Sequence, residues 1–120
     1  MKYETKGYFL EIPDNLTGVM GCKGRDKDVR VLMLTEEDCS GLLASLKLYK
    51  KGPRNRDNTE KVGILTDPEG TIWQLYAVYG EEGSCSEENE DLYWRLVDRL
   101  WLVFESIRPQ EGYHWERNHG

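Results

Sequence analysis

The chain is poor in the residues that most often carry chemistry. Its 120 residues include only two histidines and three cysteines. Both histidines, His114 and His119, lie in the last seven residues and have no third ligand at metal-site spacing. Histidine is the usual general base, and a base must be held in place by an ordered partner. The sequence therefore predicts neither a catalytic histidine nor a metal site, and we expect no cofactor.

The cysteines are few and widely spaced. Cys22, Cys39 and Cys85 are an odd number, and no C-x-x-C pair is present. This usage predicts free thiols and a reducing, cytoplasmic environment, with a Cys22–Cys39 or Cys39–Cys85 bridge as the alternative. Cys85 precedes a predicted helix, whose dipole favours a thiolate, but neighbouring glutamates oppose ionisation.

Long apolar runs are missing as well. A bilayer-spanning helix needs roughly 20 apolar residues, and the N-terminal segment MKYETKGYFLEIPD lacks the apolar region of a signal peptide. We therefore expect neither a membrane segment nor export. Gly18, Gly21 and Gly24 follow one another at steps of three, without the pattern of a phosphate-binding loop, and are interpreted as loop residues.

The chain does have enough apolar residues for one core, because 38% of it is hydrophobic and 11% aromatic. This composition excludes an intrinsically disordered acidic protein. We find no repeat, linker or low-complexity tract. The sequence predicts a single α+β domain over residues 1–120, with a C-terminal tail that frays from about residue 112.

Alternation of apolar and polar residues predicts the strands. It indicates strands over residues 3–12, 29–34 and 42–49, and a hairpin of residues 62–66 and 71–79 around the turn Asp67-Pro68-Glu69-Gly70. Pro68 and Gly70 suit the dihedral angles of that turn. Both faces of the strand over 71–79 are mostly apolar, so we expect it to be central and covered on both sides.

One amphipathic helix is predicted over about residues 87–106. Its start follows Ser84 or Ser86 as the cap, and Pro109 ends it. Apolar residues recur at steps of three and four, as on one face of a helix: Tyr93, Leu96, Val97, Leu100, Trp101 and Phe104. Trp94 and Trp101, seven residues apart, are interpreted as part of a core stripe rather than a ligand-stacking platform. The predicted fold is an antiparallel sheet of about five or six strands packed against this long C-terminal helix.

This order of elements resembles the PsbP-like family. The resemblance is carried by a strand that runs into a proline, Phe9-Leu10-Glu11-Ile12-Pro13, then a hairpin, and then a long helix that ends at Glu105-Ser106-Ile107. The family includes the PsbP protein of the oxygen-evolving complex, Mog-type Ran-binding proteins and small bacterial relatives. The resemblance implies a central sheet sandwiched by helices (α/β/α) and a non-enzymatic adaptor or binding role.

Charge is distributed unevenly along the chain. There are 16 basic and 22 acidic residues, which gives a formal net charge of −6. Residues 47–61 are rich in bases, and residues 81–91 hold acids and no base. We predict partner-binding roles for eight of these side chains: Glu81, Glu82, Glu87, Glu88, Lys50, Lys51, Arg54 and Arg56. The alternative is that both segments are solvated loops. Nucleic acid is not expected as a partner, because the protein is acidic and the basic loop over residues 50–60 lacks interleaved aromatic residues.

These observations favour a cytoplasmic, non-catalytic protein-binding module of adaptor or chaperone type. A second hypothesis is an immunity-type inhibitor that neutralises a basic toxin enzyme with its acidic segment. A third is a small thiol enzyme or hydrolase that uses Cys85 or Cys39. The sequence leaves the identity of the partner and the oligomeric state open.

Overall fold

The computed structural model describes residues 1–35, 39–52, 58–80 and 85–118 and shows one α+β domain, which confirms the predicted class. The helices are α1 (Glu90–Val97) and α2 (Leu100–Glu105), with short 3-10 turns at Asp14–Leu16 and Glu87–Asn89. The strands are β1 (Lys2–Glu4), β2 (Tyr8–Glu11), β3 (Met20–Arg25), β4 (Asp28–Met33), β5 (Leu42–Tyr49), β6 (Thr59–Thr66), β7 (Ile72–Tyr79), β8 (Arg108–Pro109) and β9 (His114–Arg117).

Six strands form one antiparallel sheet in the order β3-β4-β5-β7-β6-β9, in agreement with the predicted five or six. The strand expected over 42–49 is confirmed as β5, and the expected hairpin joins β6 to β7. In its turn the Gly70 N–H donates to the Asp67 carbonyl oxygen at 3.0 Å, and Gly70 has a φ of +88°. Glycine adopts that conformation without the steric penalty that a Cβ brings.

β7 is central, as predicted, but in the described part of the chain it is covered on one face only. Leu75 and Ala77 are fully buried, whereas Gln74 and Tyr76 are half-buried and Ile72 is 58% exposed. Aromatic and β-branched residues favour strands whether or not a second layer covers them. The apolar character of the outward positions therefore does not indicate burial, and the prediction of two covered faces is wrong.

The N-terminal third contains two strands that the sequence pattern did not predict: β1, as a strand separate from β2, and β3. The strand expected over 3–12 is a hairpin in which β1 and β2 pair antiparallel, with Tyr3 opposite Leu10. Tyr8 and Leu10 are buried, as the alternation predicted. Residues 20–25, interpreted as loop, form β3, because glycines weaken the strand pattern without preventing the pairing with β4.

The helical segment starts at Glu87, as predicted, but α1 and α2 are separated at Asp98 and Arg99. Two strands follow it, so the helix is not C-terminal: β8 pairs with β2, and β9 pairs with the edge of β6. The tail expected to fray from about residue 112 therefore forms a strand over His114–Arg117, held by backbone pairing. No described helix has the length and apolar character that a membrane span requires.

One core lies between the main sheet and a second layer, which consists of the helices and the small sheet β1-β2-β8. Leu46 and Leu75 from the main sheet, Leu10 from β2, and Leu96 and Leu100 from the helices are all at most 2% exposed. Both α-helices lie on this side of the main sheet. In the described part of the chain, helices on both faces of the sheet, as the PsbP-like resemblance implies, are not seen.

Candidate interaction faces

The outward side of the helical segment carries five exposed residues in one line. We call this line the helix stripe: Glu87, Asp91, Trp94, Asp98 and Trp101. Successive members are three or four residues apart, so they share one face of the helix. Leu96, Leu100 and Val103 occupy the opposite phase and are buried. The helix stripe therefore faces solvent, away from the core.

Trp94 and Trp101 are each 56% exposed, so the prediction that they belong to the core is wrong. Their seven-residue spacing shows that they share a face, but not which face. Leu96 and Leu100 fill the inward phase instead, and the tryptophans are left outside. The Trp94 ring packs edge-on against Tyr93, with 5.2 Å between ring centroids, which fixes its position at the surface.

A groove of about 500 Å³ runs beside the helix stripe, between α1 and the 3-10 turn at Asp14–Leu16. This volume is within the range of ligand pockets, roughly 300–1,000 Å³. Asp98 belongs to both the groove and the helix stripe, so the two form one continuous surface. The groove is lined by apolar and charged side chains: Asn15, Leu16, Val19, Leu92, Arg95, Leu96, Asp98 and Arg99.

The other side of the molecule, the outer face of the main sheet, is basic. Cross-strand register places the side chains of Lys47, Tyr76 and Lys61 in one row, on the side opposite the buried Leu46 and Ala77. We call this surface the basic sheet face. Its described charges are the cations Lys23, Arg25, Arg30, Lys47 and Lys61 and the carboxylates Asp28 and Glu116.

Two tyrosines lie among these cations. The Tyr76 ring contacts the Tyr49 ring edge-on, with 6.0 Å between centroids, and the Tyr76 hydroxyl donates to Oε1 of Gln74 at 3.3 Å. Tyr76 stands between Lys47 and Lys61 in the row. Tyr49 lies on β5 within the basic segment itself, and the neighbouring strand β7 supplies Tyr76.

Four of the eight predicted partner-binding residues lie in the described part of the chain. Glu87 and Glu88 are exposed at the start of the helical segment, and Lys50 and Lys51 are exposed just after β5. Glu87 and Glu88 lie on the helical layer and the lysines at the end of a sheet strand, so the structure does not bring the two groups together. The other four lie outside the described residues: Arg54, Arg56, Glu81 and Glu82. The binding roles of all eight stay predictions.

A smaller cavity of about 190 Å³ lies beside Trp73. The Lys27 Nζ atom is 4.6 Å from the Trp73 ring centroid, and the Lys50 Nζ atom is 5.4 Å from it. Asp67 accepts hydrogen bonds from the indole N–H at 3.3 Å and from the Thr71 N–H at 2.8 Å. Desolvation opposes ionisation of Asp67, but these hydrogen bonds outweigh it and lower the pKa of the carboxyl. Since Asp67 is engaged in its own turn, we assign this site a structural role.

The cysteines and His114 are the candidate chemical groups from the sequence that lie among the described residues. Burial raises the pKa of the Cys22 thiol to about 12, so this sulfur is protonated at neutral pH. Cys22 and Cys39 are free thiols, which excludes the alternative bridges Cys22–Cys39 and Cys39–Cys85. His114 is exposed on the edge strand β9. Within residues 1–35, 39–52, 58–80 and 85–118, no group of three or more side chains is placed to hold a metal ion.

The sequence prediction missed the tryptophans of the helix stripe and the cations of β3 and β4. A signal for the tryptophans was present, because Trp94 and Trp101 share their helical phase with Asp91 and Asp98. Carboxylates are almost never fully buried without a partner, so that phase indicates an outward face. Nothing in the linear sequence places Lys23 and Arg30 beside Lys47, because that proximity comes from strand pairing.

Comparisons of the chain with protein-family models, with curated proteins and with solved structures gave no match. The helix stripe and the basic sheet face are the candidate interaction surfaces among the described residues.

Proposed function

We propose that this chain is a protein-binding module whose helix stripe docks a basic partner protein. The observation that carries the proposal is the exposure of Trp94 and Trp101 on one helix face beside Asp91 and Asp98. An exposed indole leaves a large apolar area in water, and tryptophan is among the residues most enriched in binding hot spots. Two such side chains on one face of a 120-residue protein favour an interface.

The carboxylates define the chemistry of the partner. Between Glu87 and Glu105, the helical segment has six acidic residues and two arginines. Glu105 is engaged, because its Oε1 lies 3.2 Å from Nε of Arg117, off the direction of a hydrogen bond but at ion-pair distance. Asp91 and Asp98 flank Trp94 and are exposed. Arginine or lysine side chains can pair with such carboxylates and stack on the indole rings.

An adaptor or chaperone module is the function that this surface supports best. The acidic character also favours the second hypothesis, an immunity-type inhibitor of a basic toxin enzyme, since acidic surfaces suit the blocking of a cationic active site. The two differ in the partner's response: an inhibitor abolishes an enzymatic activity at one-to-one stoichiometry, and an adaptor does not. The hypothesis of a thiol enzyme or hydrolase that uses Cys85 or Cys39 stays a prediction. The PsbP-like relationship and the cytoplasmic adaptor role stay predictions.

The proposal is tested by affinity capture from a native lysate, followed by measurement with the purified partner. We expect the double variant Trp94→Ala, Trp101→Ala to lose a protein that the wild type retains, and to bind it at least about a hundredfold more weakly, as hot-spot residues do. Ile72→Ala is the matched control, because Ile72 is 58% exposed on the sheet side. Equal retention by wild type and the double variant would contradict the proposal.

Association kinetics test the electrostatic part separately. Glu87→Lys with Glu88→Lys should slow association with a basic partner, more at low salt than at high salt, because exposed charges are screened over about 8 Å at physiological ionic strength. Lys50→Glu with Lys51→Glu should leave that rate nearly unchanged, because these lysines lie on a different part of the surface. Equal effects of the two pairs would show that the helix stripe is not where the partner arrives.

A further inference from the structure

The helix stripe and the basic sheet face carry opposite charge and lie on opposite sides of the molecule. The helices pack on the buried face of the main sheet, so their outward side and the outer face of the sheet point in opposite directions. Among the described residues, the basic sheet face has five cations against two carboxylates, although the protein as a whole has a net charge of −6. A surface of this sign on an acidic chain is complementary to the chain's own helix stripe.

The two surfaces also match in spacing. Asp91 and Asp98 are seven residues apart on the helix, about 10 Å along its axis, with Trp94 between them. Lys47 and Lys61 lie on strands separated by β7, also about 10 Å apart, with Tyr76 between them. A helix laid across the strands therefore places each carboxylate near a lysine and the indole near the tyrosine ring.

We propose that the basic sheet face of a second copy of this chain is a partner of the helix stripe, so that copies associate head to tail. This inference rests on the proposed function, because it uses the same helix stripe as the docking surface. The interface is heterologous: each copy offers the helix stripe to one neighbour and the basic sheet face to another. Such contacts give open chains or rings rather than a single two-fold dimer.

Charge pairing on an exposed surface is sensitive to salt, so the association should be strongest at low ionic strength. The carboxylate Asp28 stands next to Lys47 in the same row and weakens the basic character at that end. The Lys61 end of the row is therefore the more basic half of the contact. The half-exposed stems of Lys47 and Lys61 offer apolar methylene groups to the indole rings.

The experiment is sedimentation velocity on the full chain over a wide range of concentration, at low and high salt. We expect the mass of the wild type to rise with concentration at low salt and to return to that of the monomer at high salt. Lys47→Gln with Lys61→Gln, and separately Asp91→Asn with Asp98→Asn, should each be monomeric at low salt. Lys2→Gln with Lys6→Gln is the matched control on neither face, and it should associate like the wild type.

Mixing the two defective variants provides the decisive measurement. The lysine variant keeps its helix stripe and the aspartate variant keeps its basic sheet face, so an equimolar mixture should form dimers that cannot grow further. A symmetric interface predicts no such rescue. Far-UV circular dichroism and thermal midpoints of all variants establish that the surface changes leave the fold intact.

Each other outcome overturns the inference. A wild type that stays monomeric at low salt overturns it, and so does a mixture that stays monomeric. Association that survives the lysine changes but not the aspartate changes indicates contact between helix stripes and also overturns it. A monomer that retards a labelled single-stranded oligonucleotide assigns the basic sheet face to nucleic acid instead. Loss of a captured basic partner on Trp94→Ala, Trp101→Ala would still support the proposed function in all of these cases.

Discussion

The helical layer and the sheet hold their tryptophans in opposite ways. Trp94 and Trp101 stand exposed beside carboxylates, whereas Trp73 is half-buried, accepts a lysine over its ring and donates its N–H to Asp67. Trp73 contacts cations and a carboxylate of its own fold, whereas Trp94 meets Tyr93 by a ring edge and both helix tryptophans remain more than half exposed. The same residue type therefore serves stability on the sheet and is available for recognition on the helix.

We expect the largest difference in stability between substitutions on the buried side and on the exposed side of the helical segment. Leu100 is 1% exposed and Trp101, its neighbour, is 56% exposed. We expect Leu100→Ala to lower the free energy of unfolding by about 2–5 kcal/mol, as large-to-small core substitutions do, and Trp101→Ala by at most about 1 kcal/mol. Urea denaturation of both variants measures the difference. Equal losses would mean that Trp101 belongs to the core.

Substitution at the contact between α1 and β5 should be nearly as destabilising. The Tyr93 hydroxyl on α1 donates to the Leu42 carbonyl oxygen on β5 at 2.7 Å, and a Cβ at Gly80 would lie 2.5 Å from that hydroxyl and strike the same carbonyl. Gly80→Ala should therefore cost about 3 kcal/mol of unfolding free energy. Gly70→Ala, where a Cβ has open space but φ is +88°, should cost about 1 kcal/mol. The reverse order in denaturant melts would contradict this close approach.

Ionic quenchers of tryptophan fluorescence report the charge near the exposed tryptophans of the helix and near Trp73 of the sheet. A unit charge about 6 Å away changes the energy of an ion in water by about 0.7 kcal/mol, or about threefold in its local concentration. Caesium should therefore quench the wild type more strongly than iodide does. The double variant Trp94→Phe, Trp101→Phe keeps Trp73, beside Lys27 and Lys50, and the half-buried Trp115 on β9. In this variant the preference should shift toward iodide. An unchanged ratio of the two Stern–Volmer constants would refute the contrast.

We expect the smallest change in stability from substitution of Asp67 in the turn between β6 and β7. Its hydrogen bonds lower the pKa of Asp67 in the folded state below its ordinary value of 3.8. The stabilisation is therefore present above that ordinary value and is lost as the pH falls through the lowered pKa. Asp67→Asn should be less stable than wild type at pH 7, and the gap should close in strong acid. Denaturant melts at both pH values test this, and a gap independent of pH would exclude the ionised carboxylate as its cause.

Local patterns predicted much of the fold. Strand β5, the β6-β7 hairpin and the helical start at Glu87 each followed from short-range periodicity and turn residues. β3 escaped prediction because Gly21 and Gly24 dilute its pattern. β9 escaped because it is held by pairing with β6, which is distant in the chain. Of the candidate site, Glu87 and Glu88 were predicted, but the tryptophans beside them were assigned to the core.

The sequence by itself determined the amphipathic periodicity of the helix and the turn at Gly70, because these depend on neighbouring residues along the chain. The tertiary structure decided which of the two apolar phases of the helix was buried, since only one can face the sheet. It also gathered Lys23, Arg30, Lys47 and Lys61 from four strands onto one face. Strand register, a property of pairing between distant segments, sets that arrangement.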